Sequence, residues 1–369
     1  MAEHNMHPEW ISPPGEIVAR ILALKHMELD EFATRIGLTP RFARGLLEGT
    51  TPIDALLAER LAVTVGSTPS FWLRCEQSYQ EDKQRNMAAY VDEEGRTWLQ
   101  RLPLKEMSRL GWLRLENNPV RLAEECFRFF GVVSLEDWKR RHATLLANVN
   151  FRTSETFSMD PMAASVWLRW TEQRAEDAPT ETWNRSLFEN RLDDIRGLSR
   201  NHHPKRFVPR LREICASCGV ALVIAPAPQG CRASGATKLI RRRKAMIAMS
   251  FRYYADDHFW FTFFHEAAHL LLHSDQEFFL DDEEGSPDQQ ETEANAFAAS
   301  KLVPPAWQER MKALPPYHLD YIRFANEIGI APGIVVGQMQ RLGLLPYNRL
   351  RKLKRRFDWD DLYQTGVIP

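Results

Sequence analysis

The chain has 369 residues, with 48 Lys and Arg, 49 Asp and Glu, and a formal net charge of −1. This length predicts two or three domains, and an apolar content of 44% is enough for a packed core. Near-neutral charge gives no argument for a nucleic-acid or membrane partner of the whole chain, and no apolar run approaches the ~20 residues that span a membrane.

The first 85 residues show the pattern of five short helices separated by glycine and proline. Pro14 opens the first helix, Gly37 lies in the turn after the second, and Thr39 can cap a third helix. Pro40 then takes the first helical position, where its missing N–H is tolerated. Two short helices joined by a glycine-containing turn are typical of a helix-turn-helix, so this region is predicted to be such a domain.

The same region resembles the XRE-type helix-turn-helix of HigA-like antitoxins. The resemblance rests on Pro14-Gly15-Glu16-Ile17 and on Gly66-Ser67-Thr68-Pro69-Ser70-Phe71-Trp72-Leu73, which match the two ends of that subgroup. It implies that the third helix is the recognition helix, with Thr39, Arg41 and Arg44 as its DNA contacts. It also implies that a homodimer binds a two-fold operator in double-stranded DNA.

The charge of the first 85 residues argues against strong duplex binding. They hold nine Lys or Arg and twelve Asp or Glu, whereas strong duplex binders are usually basic. Asp30 and Glu31 also open the second helix, where an anionic pair repels the phosphate backbone. Locally placed arginines can outweigh this balance, because phosphate contacts act over a short screened range. The alternative is a helix-turn-helix that serves only as a protein-binding module.

Residues 86–203 are predicted to form a helical region between the two recognisable domains. Apolar residues recur at helical spacing in five segments of it: 98–115, 120–130, 134–146, 161–175 and 182–200. Six tryptophans are concentrated there: Trp98, Trp112, Trp138, Trp167, Trp170 and Trp183. An aromatic stripe on a helix is usually part of a core, and a partner-binding groove is the alternative.

The segment His265-Glu266-Ala267-Ala268-His269 carries a chemical signature. A helix advances about 100° per residue, so the two histidines lie on one face about 6 Å apart. Two imidazole nitrogens there can reach one Zn²⁺ at ~2.0–2.1 Å. Glu266 lies beside them, close enough to take a proton from a metal-bound water, and the pattern is that of zinc hydrolases. The alternative is a chance pair of core histidines.

A catalytic zinc usually has three protein ligands, so a third ligand is expected on a later helix. Residues 289–299 have the apolar spacing of such a helix. Glu291 is the best candidate for the third ligand, and Glu293, on a different face, is the runner-up. His273 lies one turn after His269 and could be a ligand or a substrate contact, although a histidine that ends the helix is the preferred interpretation.

Residues 204–345 resemble the ImmA/IrrE-type metallopeptidase domain. A strand-like run at residues 245–250 precedes the motif helix, and residues 291–304 match the pattern E-x-x-A-N-x-F-A-x-x-L-x-P. The motif helix itself matches closely over Phe261-Thr262-Phe263-Phe264-His265-Glu266-Ala267-Ala268-His269-Leu270-Leu271-Leu272-His273. Ala268 stands where many members have Gly, and an Ala on a helix should not disturb the ligand geometry.

The resemblance implies both a fold and a set of roles. It implies that His265, His269 and Glu291 bind zinc and that Glu266 is catalytic. It also implies a zincin-like α+β domain with a small sheet, so the whole chain is expected to be mainly α, of the α+β class.

The implied chemistry is metal-assisted hydrolysis of an amide bond. Zn²⁺ lowers the pKa of its bound water toward ~7 and polarises the scissile carbonyl, and Glu266 would pass the water proton to the leaving amine. The acidic residues of 275–288 would form a lid that favours basic substrate segments or, more simply, a solvated loop. The transition state also needs an oxyanion donor, for which the sequence offers four candidates: Tyr253, Tyr254, His258 and His273.

The odd and scattered cysteines favour reduced thiols and a cytoplasmic location. They are Cys75, Cys126, Cys215, Cys218 and Cys231. The first residues, Met1-Ala2-Glu3-His4, lack the basic-then-apolar pattern of a signal sequence, which gives the same expectation. Residues 346–369 are predicted to be a basic tail that docks on the body of the protein or on a partner.

Two functions from different classes fit these observations. In the first, the chain is an antitoxin-like transcription regulator whose zinc-dependent endopeptidase domain hydrolyses a regulatory protein partner, either a repressor or a toxin-linked protein. In the second, it is a non-catalytic HigA-like antitoxin and autorepressor, whose zinc domain only binds a toxin or a signal. The fused architecture is compatible with both activities in one chain.

Overall fold

The computed structural model describes residues 13–90, 93–142, 159–240, 243–250, 254–273, 279–280 and 289–357. Most of the predicted acidic lid, Tyr253 and the end of the predicted tail lie outside these residues. None of the helices in this part of the chain combines the length and the apolar character that crossing a membrane requires. None of the cysteines, all of which are described, forms a disulfide bond.

The described chain forms two compact units. Unit 1 consists of residues 13–142 and Pro161–Asp177, and unit 2 of residues 159–160 and 178–357. These units do not follow the predicted boundaries at residues 85 and 203, because the helical region between them is shared. Its last helix contributes Phe188, Leu192 and Ile195, all buried, to the core of unit 2.

Unit 1 begins with the five helices that the sequence predicted. They are α1 (Pro14–Leu24), α2 (Leu29–Arg35), α3 (Pro40–Leu47), α4 (Ala55–Thr64) and α5 (Pro69–Tyr90). Thr39 caps α3, since its side chain accepts a hydrogen bond from the N–H of Phe42. A separate core, centred on the fully buried Phe32, Ile36 and Trp72, holds these helices together.

The rest of unit 1 is also helical. It contains α6 (Glu93–Arg101), α7 (Leu104–Arg109), α8 (Pro119–Phe130), a helical stretch at residues 135–142 and α9 (Pro161–Asp177). The predicted helix at 98–115 is divided between α6 and α7, because Pro103 interrupts it. Trp112 and Trp170 stack with their ring centroids 5.1 Å apart, which supports the prediction that these tryptophans belong to a core.

Unit 2 combines helices with one small sheet. In chain order it contains α10 (Arg185–Leu198), α11 (Pro204–Ser217), β1 (Val220–Ile224), β2 (Gly235–Ile240), β3 (Lys244–Met249), α12 (Asp256–Leu272), β4 (Phe279–Leu280), α13 (Gln289–Leu302), α14 (Pro305–Lys312), α15 (His318–Ile328), α16 (Pro332–Arg341) and a short 3₁₀ helix (Arg351–Leu353). The strand order is β1-β3-β2-β4, with β1 parallel to β3 and β2 antiparallel to both of its neighbours. The expectation of a mainly α, α+β chain is confirmed.

Helix α12 positions the site, because it packs against both the sheet and α13. Phe259, Trp260, Phe263 and Phe264 are at most 3% exposed and bury it in the unit 2 core. Acidic residues occupy its first turn, where they interact favourably with the helix dipole. His273 ends the helix as its C-cap residue, as the preferred interpretation of the sequence had it.

Candidate functional site

Three side chains from two helices converge beside the sheet. His265 and His269 of α12 are 2% and 1% exposed, and Glu291 reaches them from α13 with 14% of its side chain exposed. The Nε2 atoms of the two histidines are 3.0 Å apart. Glu291 Oε2 lies 3.2 Å from His265 Nε2, and Glu291 Oε1 lies 3.5 Å from His269 Nε2. Each residue therefore directs one ligand atom to a common point.

These separations fit a divalent ion with tetrahedral ligands. Zinc–ligand bonds of ~2.0–2.1 Å at tetrahedral angles would hold neighbouring ligand atoms about 3.3 Å apart. The three measured distances, 3.0, 3.2 and 3.5 Å, lie around that value. Two imidazoles and one carboxylate are also a ligand set that zinc hydrolases use, with a fourth position left for water.

Glu266 lies on the adjacent face of α12 and is completely buried against β2. Thr237 Oγ1 of β2 donates a 2.5 Å hydrogen bond to Glu266 Oε2. The neighbouring Gly235 leaves room for this carboxylate: a Cβ atom there would lie 2.2 Å from Glu266 Oε1. One face of β2 therefore adjoins both carboxylate oxygens of the motif glutamate: Thr237 bonds Oε2, and Gly235 leaves room for Oε1.

A chain of hydrogen bonds continues from the candidate metal ligands. His269 Nδ1 lies 3.1 Å from His273 Nδ1, and His273 Nε2 lies 3.1 Å from Glu293 Oε2. If Nε2 of His269 is a ligand, its Nδ1 carries the proton and donates to His273, whose own proton then lies on Nε2 and points to Glu293. The hydrogen bond from His273 lowers the pKa of the Glu293 carboxyl. Glu293, the runner-up ligand, thus contacts His273 rather than the convergence point.

The predicted oxyanion donors have different surroundings. Tyr253 lies outside the described residues. His273 contacts His269 and Glu293, so it lies among the residues that surround the candidate metal ligands. The backbone of Tyr254 accepts a hydrogen bond from the N–H of Phe357, and His258 is half-buried in the first turns of α12.

The start of α12 is clamped by the segment that follows the 3₁₀ helix. The carboxylate of Asp256 is fully buried and accepts hydrogen bonds from the backbone N–H groups of Asp257 and Arg355. Lys354 Nζ lies 2.6 Å from Asp257 Oδ2. Burial, and then the neighbouring charge of Asp257, raise the pKa of Asp256 to about 7, although Arg355 opposes the shift.

This raised pKa predicts that Asp256→Asn removes a pH-dependent loss of stability. The folded-state pKa lies above the unfolded value of 3.8, so the folded protein binds the proton more tightly and loses stability as pH rises from about 4 to about 7. A difference of about 3 pKa units corresponds to at most about 4 kcal/mol. Urea unfolding should show the stability advantage of Asp256→Asn growing between pH 5 and pH 8. Parallel pH profiles for the two proteins would contradict it.

The predicted DNA contacts lie on α3, and two of them are already paired. Thr39 acts as the helix cap. Arg41 Nη1 lies 3.2 Å from Asp177 Oδ2, and Arg44 Nε lies 3.1 Å from Glu176 Oε1, both at the end of α9. The two arginines therefore contact carboxylates of their own unit.

Sequence reasoning missed several of these neighbours. Gly235 and Thr237 precede the motif by about 30 residues, and the only local signal was a run of small residues at the start of β2. Glu176 and Asp177 lie just beyond the helix predicted at 161–175 and had no predicted role, although acidic residues at the end of a helix are locally unfavourable and can signal a tertiary partner.

Comparison with known families places the His265, His269 and Glu291 cluster inside a recognised domain. Residues 238–334 match the IrrE N-terminal-like domain, a peptidase M78 family. The matched range contains all three converging ligand residues, the motif glutamate and His273. Gly235 and Thr237 lie just before it.

A second comparison concerns a regulator of transcription. The chain is 32% identical over 66 residues to YddM, an uncharacterized HTH-type transcriptional regulator of Escherichia coli strain K12. The aligned part is 18% of this chain and 70% of that protein.

Proposed function

We propose that this chain, which belongs to the helix-turn-helix transcriptional regulators and carries an ImmA/IrrE-type domain, is an antitoxin-like regulator that also cleaves a protein partner. In this proposal the ImmA/IrrE-type domain is a zinc-dependent endopeptidase. Its substrate is a regulatory protein, either a repressor or a toxin-linked protein, and the chain acts in the cytoplasm.

The observation that carries the proposal is the convergence of His265, His269 and Glu291 beside a buried acid. The three candidate ligand atoms lie 3.0, 3.2 and 3.5 Å from one another, which is close to the spacing of ligand atoms around one tetrahedral ion. Glu266 stands next to the first ligand in the chain, and β2 fixes its carboxylate. A ligand set and a proton acceptor are the two parts that metal-assisted amide hydrolysis requires.

Each of these residues would have one task. A bound Zn²⁺ would supply Lewis acidity and lower the pKa of its water. His265, His269 and Glu291 would hold the ion and leave one position open. Glu266 would accept the proton of the attacking water and deliver it to the leaving amine nitrogen. The hydrogen bond from Thr237 would orient that carboxylate.

The test combines metal content with cleavage of candidate partners. The purified chain should contain about one zinc ion per molecule, and a strong chelator should remove both the metal and the activity. The products of the adjacent genes are the first substrates to examine by mass spectrometry. If the zinc-loaded protein leaves all of them intact, the proposal of an endopeptidase fails.

His273 should behave as a positioning residue for the metal. His273→Ala removes the acceptor for His269 Nδ1–H, so we expect zinc affinity to fall by about 10–100-fold. His273→Asn should retain most of the affinity, because its amide oxygen can replace Nδ1 as the acceptor. Competition with a zinc-chelating dye measures both. His318→Ala, which changes an exposed histidine of the same unit, is the control, and equal affinities in all four proteins would refute the role.

The regulatory half of the proposal places α3 on DNA. Thr39, Arg41 and Arg44 would contact base edges and phosphates of an operator, and a homodimer would match a two-fold site. The support is the regulator relative and the five-helix arrangement of unit 1. Because both arginines contact carboxylates of α9, DNA binding would have to compete with those contacts.

One observation favours a non-catalytic alternative. Glu266 is 0% exposed, and a general base must reach the water that it deprotonates. In this alternative the chain is an autorepressor, and its zinc domain binds a toxin or a signal without cleaving it. Stoichiometric zinc and tight partner binding without any cleavage would select this alternative.

A further inference from the structure

The end of α9 carries two acids that lie beside two basic side chains of α3. Arg41 contacts Asp177 through Nη1 and Gln173 through Nη2, at 3.2 and 3.3 Å. Arg44 lies one turn further along α3 and contacts Glu176 at 3.1 Å. The two basic side chains that define the predicted recognition surface thus face two acids within unit 1.

Three of these four charges are placed against the dipole of their own helix, whereas Arg44 lies in the last turn of α3, where a cation is favoured. Asp177 is the last residue of α9 and Glu176 the one before it, where the helix end is already negative. Arg41 is the second residue of α3, where the helix end is positive and favours anions. Such a placement is unfavourable within each helix, and the pairing between α3 and α9 offsets it, with a contribution from Arg169 at Glu176.

The contact is also a poor stabiliser of the core. The side chain of Glu176 is 5% exposed, and burial raises its pKa even though Arg44 and Arg169 oppose the shift. A buried ion pair often adds less stability than apolar residues of the same shape would. The partly exposed pair Arg41–Asp177, at 39% and 32%, adds little by itself. Packing therefore does not require acids at these two positions.

The body of α9 is held by other contacts. Trp167 is fully buried, Trp170 stacks on Trp112, and Arg169 Nε donates to the carbonyl of Phe129. The acidic pair at the helix end can therefore exchange partners while α9 stays in place. What changes is the position of two arginine side chains.

We infer that Glu176 and Asp177 occupy the phosphate-binding surface of α3 and compete with the DNA backbone for Arg41 and Arg44. While these carboxylates hold the two guanidinium groups, the arginines are not available to phosphate oxygens, so the described arrangement is the one with low DNA affinity. This inference rests on the proposed DNA binding by α3 and adds its regulation.

The test is the double variant Glu176→Gln with Asp177→Asn. Its affinity for a labelled 30-base-pair duplex of mixed sequence should rise at least tenfold at 0.1 M salt, measured by fluorescence anisotropy. Two more phosphates neutralised would steepen the plot of log affinity against log salt by about 1.8. Circular dichroism and thermal unfolding confirm that the fold is kept.

The matched control removes the same charge elsewhere. Glu189→Gln with Asp193→Asn changes two exposed acids of α10. A gain confined to the α9 variant, and cancelled when Arg41→Ala and Arg44→Ala are added to it, supports the inference. An equal gain in affinity in both double variants overturns the inference. So does the absence of any gain when the wild type binds DNA through the two arginines. Either result leaves DNA binding by α3 in place. If no protein binds more tightly than its arginine-free version, DNA binding by α3 fails and the inference fails with it.

Discussion

Replacing Glu266 with glutamine should lower the rate of partner cleavage by about 10²–10⁴-fold and leave zinc binding intact. Glutamine has nearly the same shape, and its amide oxygen can still accept the hydrogen bond from Thr237 Oγ1. An amide cannot take up the proton of the attacking water, so the lost step is the proton transfer itself. The three ligand side chains are unchanged, and the zinc content should stay at the wild-type value.

Single-turnover cleavage of the substrate identified with wild-type protein measures this loss, with zinc per chain determined on the same samples. Glu309→Gln makes the same chemical change at a carboxylate that is 87% exposed and should cleave at the wild-type rate. Cleavage by Glu266→Gln at the wild-type rate would refute the role of general base. A parallel loss of zinc would instead show that the substitution had disturbed the ligands.

The convergence of the three candidate metal ligands could be predicted because its signals are local. The spacing of His265 and His269 follows directly from the helical repeat. Glu291 lies on a separate helix, but the need for a third ligand restricted the search to acids on the next helical segment. The structure brings these three together. Glu293, two residues later, lies on another face and contacts His273.

The surroundings of Glu266 could not be predicted in the same way. Thr237 reaches it from a strand 29 positions earlier in the chain. Which residue of a strand faces a given helix depends on the register of β2 between β3 and β4. A period-two pattern shows the two faces of a strand, but β2 is buried along most of its length, so the pattern does not distinguish them.

The partners of Arg41 and Arg44 show the same limit on a larger scale. The sequence predicts Arg41 and Arg44 near the start of the third helix, and the structure places Arg41 in the first turn of α3 and Arg44 in its last turn. Asp177 lies 136 residues away from Arg41, and no spacing rule connects positions that far apart. The predicted helix at 98–115 is a different case, because Pro103 is a local signal in the sequence that predicts the break in this helix.

The second large effect is expected from Gly235→Ala. The added Cβ would lie 2.2 Å from Glu266 Oε1 and 2.7 Å from its Cδ, which is closer than real Cβ contacts allow. Glu266 is buried, and Thr237 holds its other carboxylate oxygen, so the carboxylate or the strand must shift. A displacement of about 1 Å in a catalytic group can lower the rate about 10²-fold, and the overpacking should also cost about 1–3 kcal/mol of stability. Zinc content should stay close to one per chain.

Gly197→Ala separates this effect from a general effect of removing glycine. Nothing lies within 4 Å of a Cβ at Gly197, in α10 of the same unit, so this variant should keep full activity and gain a little stability. A double-mutant cycle then asks whether Gly235 acts through Glu266. If it does, adding Gly235→Ala to Glu266→Gln lowers the rate no further, because the group that the methyl displaces has already lost its chemistry. If the two losses of rate multiply in full, Gly235 acts through the substrate or the strand. In that case the glycine does not act by preserving space beside Glu266.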